Sequence, residues 1–99
     1  MERTIKPENL KPALAGKHVI DVRRKADHDA SSEALPGAAW HDPEKLAEWA
    51  DTLPKDKEVV VYCVKGGAVS QSVASSLQEI NPNVRFLEGG ILGWEEKQK

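Results

Sequence analysis

The chain has 99 residues, 39% of them apolar and 30% charged, with a formal net charge of −2 and no long run of one sign. That size fits one small domain spanning residues 1–99, and the balance excludes a disordered or fibrous chain, a general affinity for nucleic acid, and attraction to anionic membrane. No stretch approaches the roughly 18 apolar residues of a membrane span, and a single cysteine excludes an intramolecular disulfide or a cysteine-rich zinc site.

The first six residues, Met1 to Lys6, lack the apolar core of a secretory signal, so a cytoplasmic location is the expectation. Lys6 to Leu14 reads as a short helix. Pro7 suits a first turn, Leu10, Ala13 and Leu14 make an apolar face, and Gly16 ends it. His18-Val19-Ile20-Asp21-Val22 is β-branched and reads as a buried strand. Arg23 to Glu33 is small and polar, a loop with a helical turn. Leu35-Pro36-Gly37-Ala38 is a turn. Asp42 is the expected N-cap of a helix with Pro43 at its first position. Leu46, Trp49, Ala50 and Leu53 form its apolar face, and Pro54-Lys55 closes it.

Glu58 to Cys63 is the strongest strand signal, near-continuously apolar as in a strand buried on both faces. Gly66-Gly67 breaks it. Val69 to Ile80 then reads as a helix with Val69, Val73, Leu77 and Ile80 along one side, stopped by Asn81-Pro82-Asn83. Val84 to Leu87 is a strand, Gly89-Gly90 a turn, and Ile91 to Lys97 a last helix. Alternating strands and helices predict an α/β fold: a mostly parallel central sheet with helices on both faces. Sites in such sheets form at the carboxyl ends of the strands, and Cys63 ends the central one.

Cys63-Val64-Lys65-Gly66-Gly67-Ala68-Val69 therefore draws the functional reading. Glycines permit φ > 0, so successive backbone N–H groups can turn inward ahead of a helix start and form an anion cradle. A thiolate at the head of that cradle is favoured over the thiol. Lys65 adds a positive charge. Against this stands a plainer reading, in which Cys63 is a small apolar residue closing a buried strand.

These residues bring the chain to a family resemblance. Val60 to Gly67 resembles the active-site strand and loop of the single-domain rhodaneses, with glycine three after cysteine. Ile20-Asp21-Val22-Arg23 resembles their early Asp-x-Arg strand end. Leu35-Pro36-Gly37-Ala38 resembles the second half of their Gly-His-Ile-Pro-Gly-Ala turn, and Leu87 to Trp94 resembles their closing Gly-Gly-x-x-x-Trp segment. The four blocks stand in family order across nearly the whole chain. The resemblance implies a rhodanese-like fold and a Cys63 persulfide. The cysteine would take a sulfane sulfur from thiosulfate or a similar small-molecule donor and pass it to a thiol or cyanide. Cys63 is then the catalytic residue, and Val64, Lys65, Gly66, Gly67, Ala68 and Val69 bind substrate. Lys65 stands where thiosulfate-using members carry a basic residue. Two departures are visible: Glu33-Ala34 replaces the family's Gly-His, and the stretch before it is slightly longer.

No cofactor or metal is expected. Thiol-based phosphatases clamp phosphate with Cys-x5-Arg, and the sixth residue after Cys63 is Val69, so that chemistry is disfavoured. Asp21 is a candidate for orienting the loop, with a surface carboxylate as the alternative. Arg23 is expected to pair with a local acid such as Asp27. His18, His28 and His41 lack ligand-pair spacing and read as solvated or capping. Trp40, Trp49 and Trp94 read as core and edge packing. Two further readings share these residues: a persulfide carrier that hands sulfur to a protein partner, and a non-catalytic regulatory domain, against which the retained cysteine argues.

Overall fold

The computed structural model describes residues 4–30, 34–35, 37–53, 56–64, 68–81 and 83–97. Among them, the strands are β1 (Thr4–Ile5), β2 (His18–Asp21), β3 (Ala39–Trp40), β4 (Val59–Tyr62) and β5 (Val84–Leu87). They form one sheet in the order β1-β5-β4-β2-β3, and every neighbouring pair is parallel. β4 is the middle strand. All four of its residues are fully buried, which matches the apolar run read in the sequence. Each such side chain contributes about 1.5–3 kcal/mol of transfer free energy.

Strand parity divides the core in two. On one face, Ile20, Val22, Val59, Val61 and Cys63 pack against Trp49, Leu53, Val73, Ala74 and Leu77. On the other, Val19, Val60, Tyr62 and Leu87 pack against Leu10, Leu35, Ile91 and Trp94. The first layer of helix is α3 (Leu46–Trp49) and α4 (Ala68–Gln78), and the second is α1 (Pro7–Leu10) and α5 (Gly90–Lys97). A short α2 (Lys25–Asp29) follows β2, within the stretch read as a loop with a helical turn. Parallel strands with helices on both faces are as expected. No helix among the described residues is long and apolar enough to cross a membrane.

Several elements differ in detail from the sequence reading. The first helix is α only over Pro7–Leu10 and continues as a 3-10 turn through Gly16. Pro12 explains the change, because it has no N–H for an i→i−4 bond. The segment after Asp42 is likewise composite: 3-10 over Pro43–Lys45, α over Leu46–Trp49, 3-10 over Ala50–Thr52. Asp42 does cap it, its carboxylate accepting from Glu44 N–H at 2.9 Å. The Asp42 carbonyl takes both Lys45 N–H and the Trp49 indole N–H, which tightens the first turn. Ile80 lies past the end of α4 and is 43% exposed, so it does not continue the apolar side of that helix. β1 and β3 were not expected as strands.

Candidate active site

The ladder between β2 and β4 runs to the carboxyl end of the sheet: Val22 N–H donates to the Tyr62 carbonyl at 2.8 Å. The next residue is Cys63, 6% exposed, its side chain among Val22, Trp49 and Val73. The carbonyls beyond the ladder are taken by α5. Ile91 N–H donates to the Cys63 carbonyl at 2.9 Å, and Leu92 N–H to the Val64 carbonyl at 3.1 Å. The first N–H groups of a helix have no partner within it, so α5 can give them away without losing its own bonds.

Gly90 makes this contact sterically feasible. Its φ is 60°, and a Cβ there would fall within 2.6 Å of the Val64 carbonyl and closer still to the Cys63 oxygen. Gly89, with φ of 78°, forms the turn itself, and its carbonyl accepts from Gly93 N–H. The turn was legible in the sequence. The seating of Gly90 on the Cys63 backbone was not, because a contact between residues so far apart in the chain leaves no periodic signal.

Of the other expected site residues, Val64 is half-buried beside Cys63. Lys65, Gly66 and Gly67 lie outside the described residues, so the expected cradle in that stretch does too. Ala68 and Val69 open α4, whose backbone thus begins four residues after Val64.

Asp21 is not a surface carboxylate, and a role toward Lys65, Gly66 and Gly67 falls outside the described residues. It is 2% exposed, on the Tyr62 side of the sheet, and it turns the chain after β2. Its carboxylate accepts from Arg23 N–H at 2.9 Å and from the Arg23 guanidinium at 2.6–3.0 Å. Arg23 is 2% exposed as well. Its ion-pair partner is therefore Asp21 and not Asp27, which acts on it only through space. Hydrogen bonding to Asp21 holds the guanidinium proton still more tightly than usual. The guanidinium carbon stands 5.8 Å from the Tyr62 ring centre. The Tyr62 hydroxyl accepts from the buried Leu35 N–H at 3.3 Å. Burial, with the Asp21 charge beside it, pushes the Tyr62 phenol up to about 12.

The aromatic rim is more ordered than the sequence suggested. Trp40 donates its indole N–H to the Arg23 carbonyl and stacks on His28 at 5.0 Å. His41 stacks on Trp49 at 4.8 Å. His28 and His41 are thus half-buried ring partners and not solvated or capping residues. Burial, with His18 adding to it, lowers the His41 pKa. Trp49 and Trp94 are core residues, as expected.

The fold agrees with that of known proteins. The family model of the rhodanese-like domain matches residues 6–97, and the chain belongs to that family. Residues of YtwF from Bacillus subtilis are 33% identical over 82 positions, covering 83% of this chain and 77% of YtwF. A protein of Allochromatium vinosum named sulfurtransferase is 29% identical over 97 positions, covering 95% of this chain and 89% of its own. The crystal structure of a rhodanese-related protein from Thermoplasma volcanium superposes with a TM-score of 0.84 at 25% identity, over 97% of this chain and 93% of that one.

The buried pair and the buried phenol each yield a prediction. Asp21→Asn removes the carboxylate charge that holds the buried Arg23 guanidinium and should cost about 3–5 kcal/mol in urea unfolding. Asp21→Asn combined with Arg23→Met should recover part of that loss. A single variant as stable as the wild type would mean that Arg23 escapes to water. Tyr62 is the one tyrosine, so phenolate absorbance reports it alone. Its midpoint should be about 12 in the folded protein and about 10 once unfolded. The folded state holds the proton more tightly, so stability is full below pH ~10 and falls as pH rises through that window. In Tyr62→Phe this fall should be shallower.

Proposed function

We propose that this chain is a sulfurtransferase that works through a persulfide on Cys63, with thiosulfate or a similar sulfane compound as donor. What carries the reading is the position of Cys63: a cysteine at the carboxyl end of the central parallel strand in a member of the rhodanese-like family. In the first half-reaction the Cys63 thiolate attacks the outer sulfur of the donor. A new S–S bond forms at Cys63, the donor's own S–S bond breaks, and sulfite leaves with the electron pair. In the second, a thiolate or cyanide attacks the outer sulfur of the persulfide. The Cys63 thiolate is the leaving group, and a thiol acceptor's proton passes to solvent. The sulfur changes hands without an oxidant or a cofactor.

In this reading the N–H groups from Val64 to Val69 steady the persulfide, and Lys65 meets the sulfonate end of the donor. A second reading, in which the persulfide is relayed to a protein thiol, draws support from Leu92. That residue bonds the Val64 carbonyl while its apolar side chain stays 48% exposed, and a protein acceptor would cover it.

Two experiments test the proposal. A thiosulfate:cyanide assay is run beside mass spectrometry of protein incubated with thiosulfate. The wild type should turn over and carry an adduct of about 32 Da, one sulfur. Cys63→Ser, nearly isosteric and lacking the only thiol, should do neither while remaining folded. An adduct without turnover supports the relay instead, and activity surviving in Cys63→Ser would end the persulfide mechanism. Lys65→Ala addresses the donor. A semi-exposed ion contact is worth roughly 1 kcal/mol or somewhat more, so kcat/KM for thiosulfate should fall around tenfold. The half-reaction with a neutral thiol should hardly change. Equal losses in both halves would remove Lys65 from the donor site.

A further inference from the structure

We infer that Gly90 and the first turn of α5 form a positioning device for the Cys63 nucleophile; the inference deepens the sulfurtransferase reading above and rests on it. Cys63 and Val64 leave the sheet just past the last ladder bond, where no strand can hold their carbonyls. The N–H groups of Ile91 and Leu92 hold them instead, at 2.9 and 3.1 Å. The described backbone contains no cis peptide, so each N–H stands opposite the carbonyl of its own peptide unit. Fixing the Cys63 carbonyl on α5 therefore turns the Val64 N–H away from α5. α5 packs on the Tyr62 face of the sheet, whereas the Cys63 side chain belongs to the α4 face. The Val64 N–H is thus set on the side toward which the sulfur is directed.

A donor N–H that is already aimed does not have to reorganise when charge moves onto or off the sulfur. Gly90 is the part of the device that no other residue can supply. Its backbone lies against the Cys63 and Val64 carbonyls, leaving no room for a Cβ. Its positive φ would be strained with any L side chain. Neither α5 hydrogen bond survives if α5 is pushed away by a methyl group. Gly90 touches neither donor nor acceptor and acts through the orientation of one peptide unit.

The test compares two glycines of the same turn. Gly90→Ala and Gly89→Ala both impose a side chain at positive φ, but a Cβ on Gly89 would meet Gly93 of α5 itself, at 3.2 Å, and not the cysteine backbone. Rates of persulfide formation are measured across thiosulfate concentrations and scaled to the folded fraction. Gly90→Ala should lose at least tenfold in the maximal rate with KM little changed. Gly89→Ala should lose no more than about threefold. Should Gly90→Ala fail to fold, Leu92→Pro serves: it deletes a first-turn N–H that α5 does not use internally, on an exposed residue. Leu92→Pro should lose several-fold more than Leu92→Ala, which keeps the N–H. Equal losses for the two glycine variants, or Leu92→Pro matching Leu92→Ala, would overturn the positioning role. A wild type that forms no persulfide would instead overturn the sulfurtransferase reading. Chloroacetamide alkylation of Cys63 then gives a separate readout of positioning: Gly90→Ala must change its rate at least threefold relative to Gly89→Ala, and parity refutes the device.

Discussion

A buried strand that ends inside a protein leaves carbonyls that must find donors, and the end of β4 is where this structure meets that demand. An unpaired buried carbonyl costs as much as a lost hydrogen bond. The Tyr62 carbonyl is satisfied by Val22 N–H, which belongs to the chain just past β2. One residue later the sheet has no more donors to give. α5 supplies them from its unpaired first turn, and that requirement fixes where α5 starts, why Gly90 precedes Ile91, and how the cysteine backbone is oriented. Gly93 extends the same logic outward. A Cβ there would stand 3.3 Å from the Glu88 carbonyl oxygen, so the bare backbone of α5 lets the turn before it fold closely against the helix.

The chemistry and the scaffold were not equally legible in the sequence. Val59-Val60-Val61-Tyr62 announces a doubly buried strand by composition alone, and the cysteine at its end follows from chain order. β1 and β3 were missed because two residues cannot display an alternation. Each exists only by pairing with a longer strand, β1 with β5 and β3 with β2. The helix after Asp42 was recognisable by its cap, but its 3-10 ends depend on the reach of the Trp49 indole and the Thr52 hydroxyl, which local propensity does not encode.

The Asp21–Arg23 pair teaches the same lesson at the level of charge. By sequence, Asp21 at the end of a buried strand is a candidate for orienting the loop or for a surface carboxylate, and Asp27 lies at helical spacing from Arg23. Burial changes the outcome. With the guanidinium out of water, only a partner that satisfies several donors at once will serve. Asp21 does so because the chain bends directly after it, presenting both the Arg23 amide and its side chain to one carboxylate. Desolvating two charges rarely yields net stability. What the pair secures here is the path of the chain out of β2. Arg23 gives its carbonyl to Trp40, and Asp21 gives its carbonyl to His41 N–H, so β3 is registered on the same bend.

Strand parity then explains how a rigid charged group and a buried thiol coexist at one sheet edge. Asp21 and Tyr62 are register partners and share the α1/α5 face, with Arg23 over the Tyr62 ring. Cys63, one residue on, belongs to the opposite face, among the apolar side chains of α3 and α4. Burial, with the Asp21 carboxylate beside it, raises the phenol, and Cys63 lies on the other side of the sheet. A shift of β4 by one residue would exchange the two faces, placing the thiol among Asp21 and Arg23 and the phenol against α4. Val59, Val60 and Val61 are alike on the two faces and do not oppose that slip; Tyr62 does, because its hydroxyl accepts from Leu35 N–H and its ring lies under Arg23, so the residue before the cysteine decides which side of the sheet the sulfur occupies.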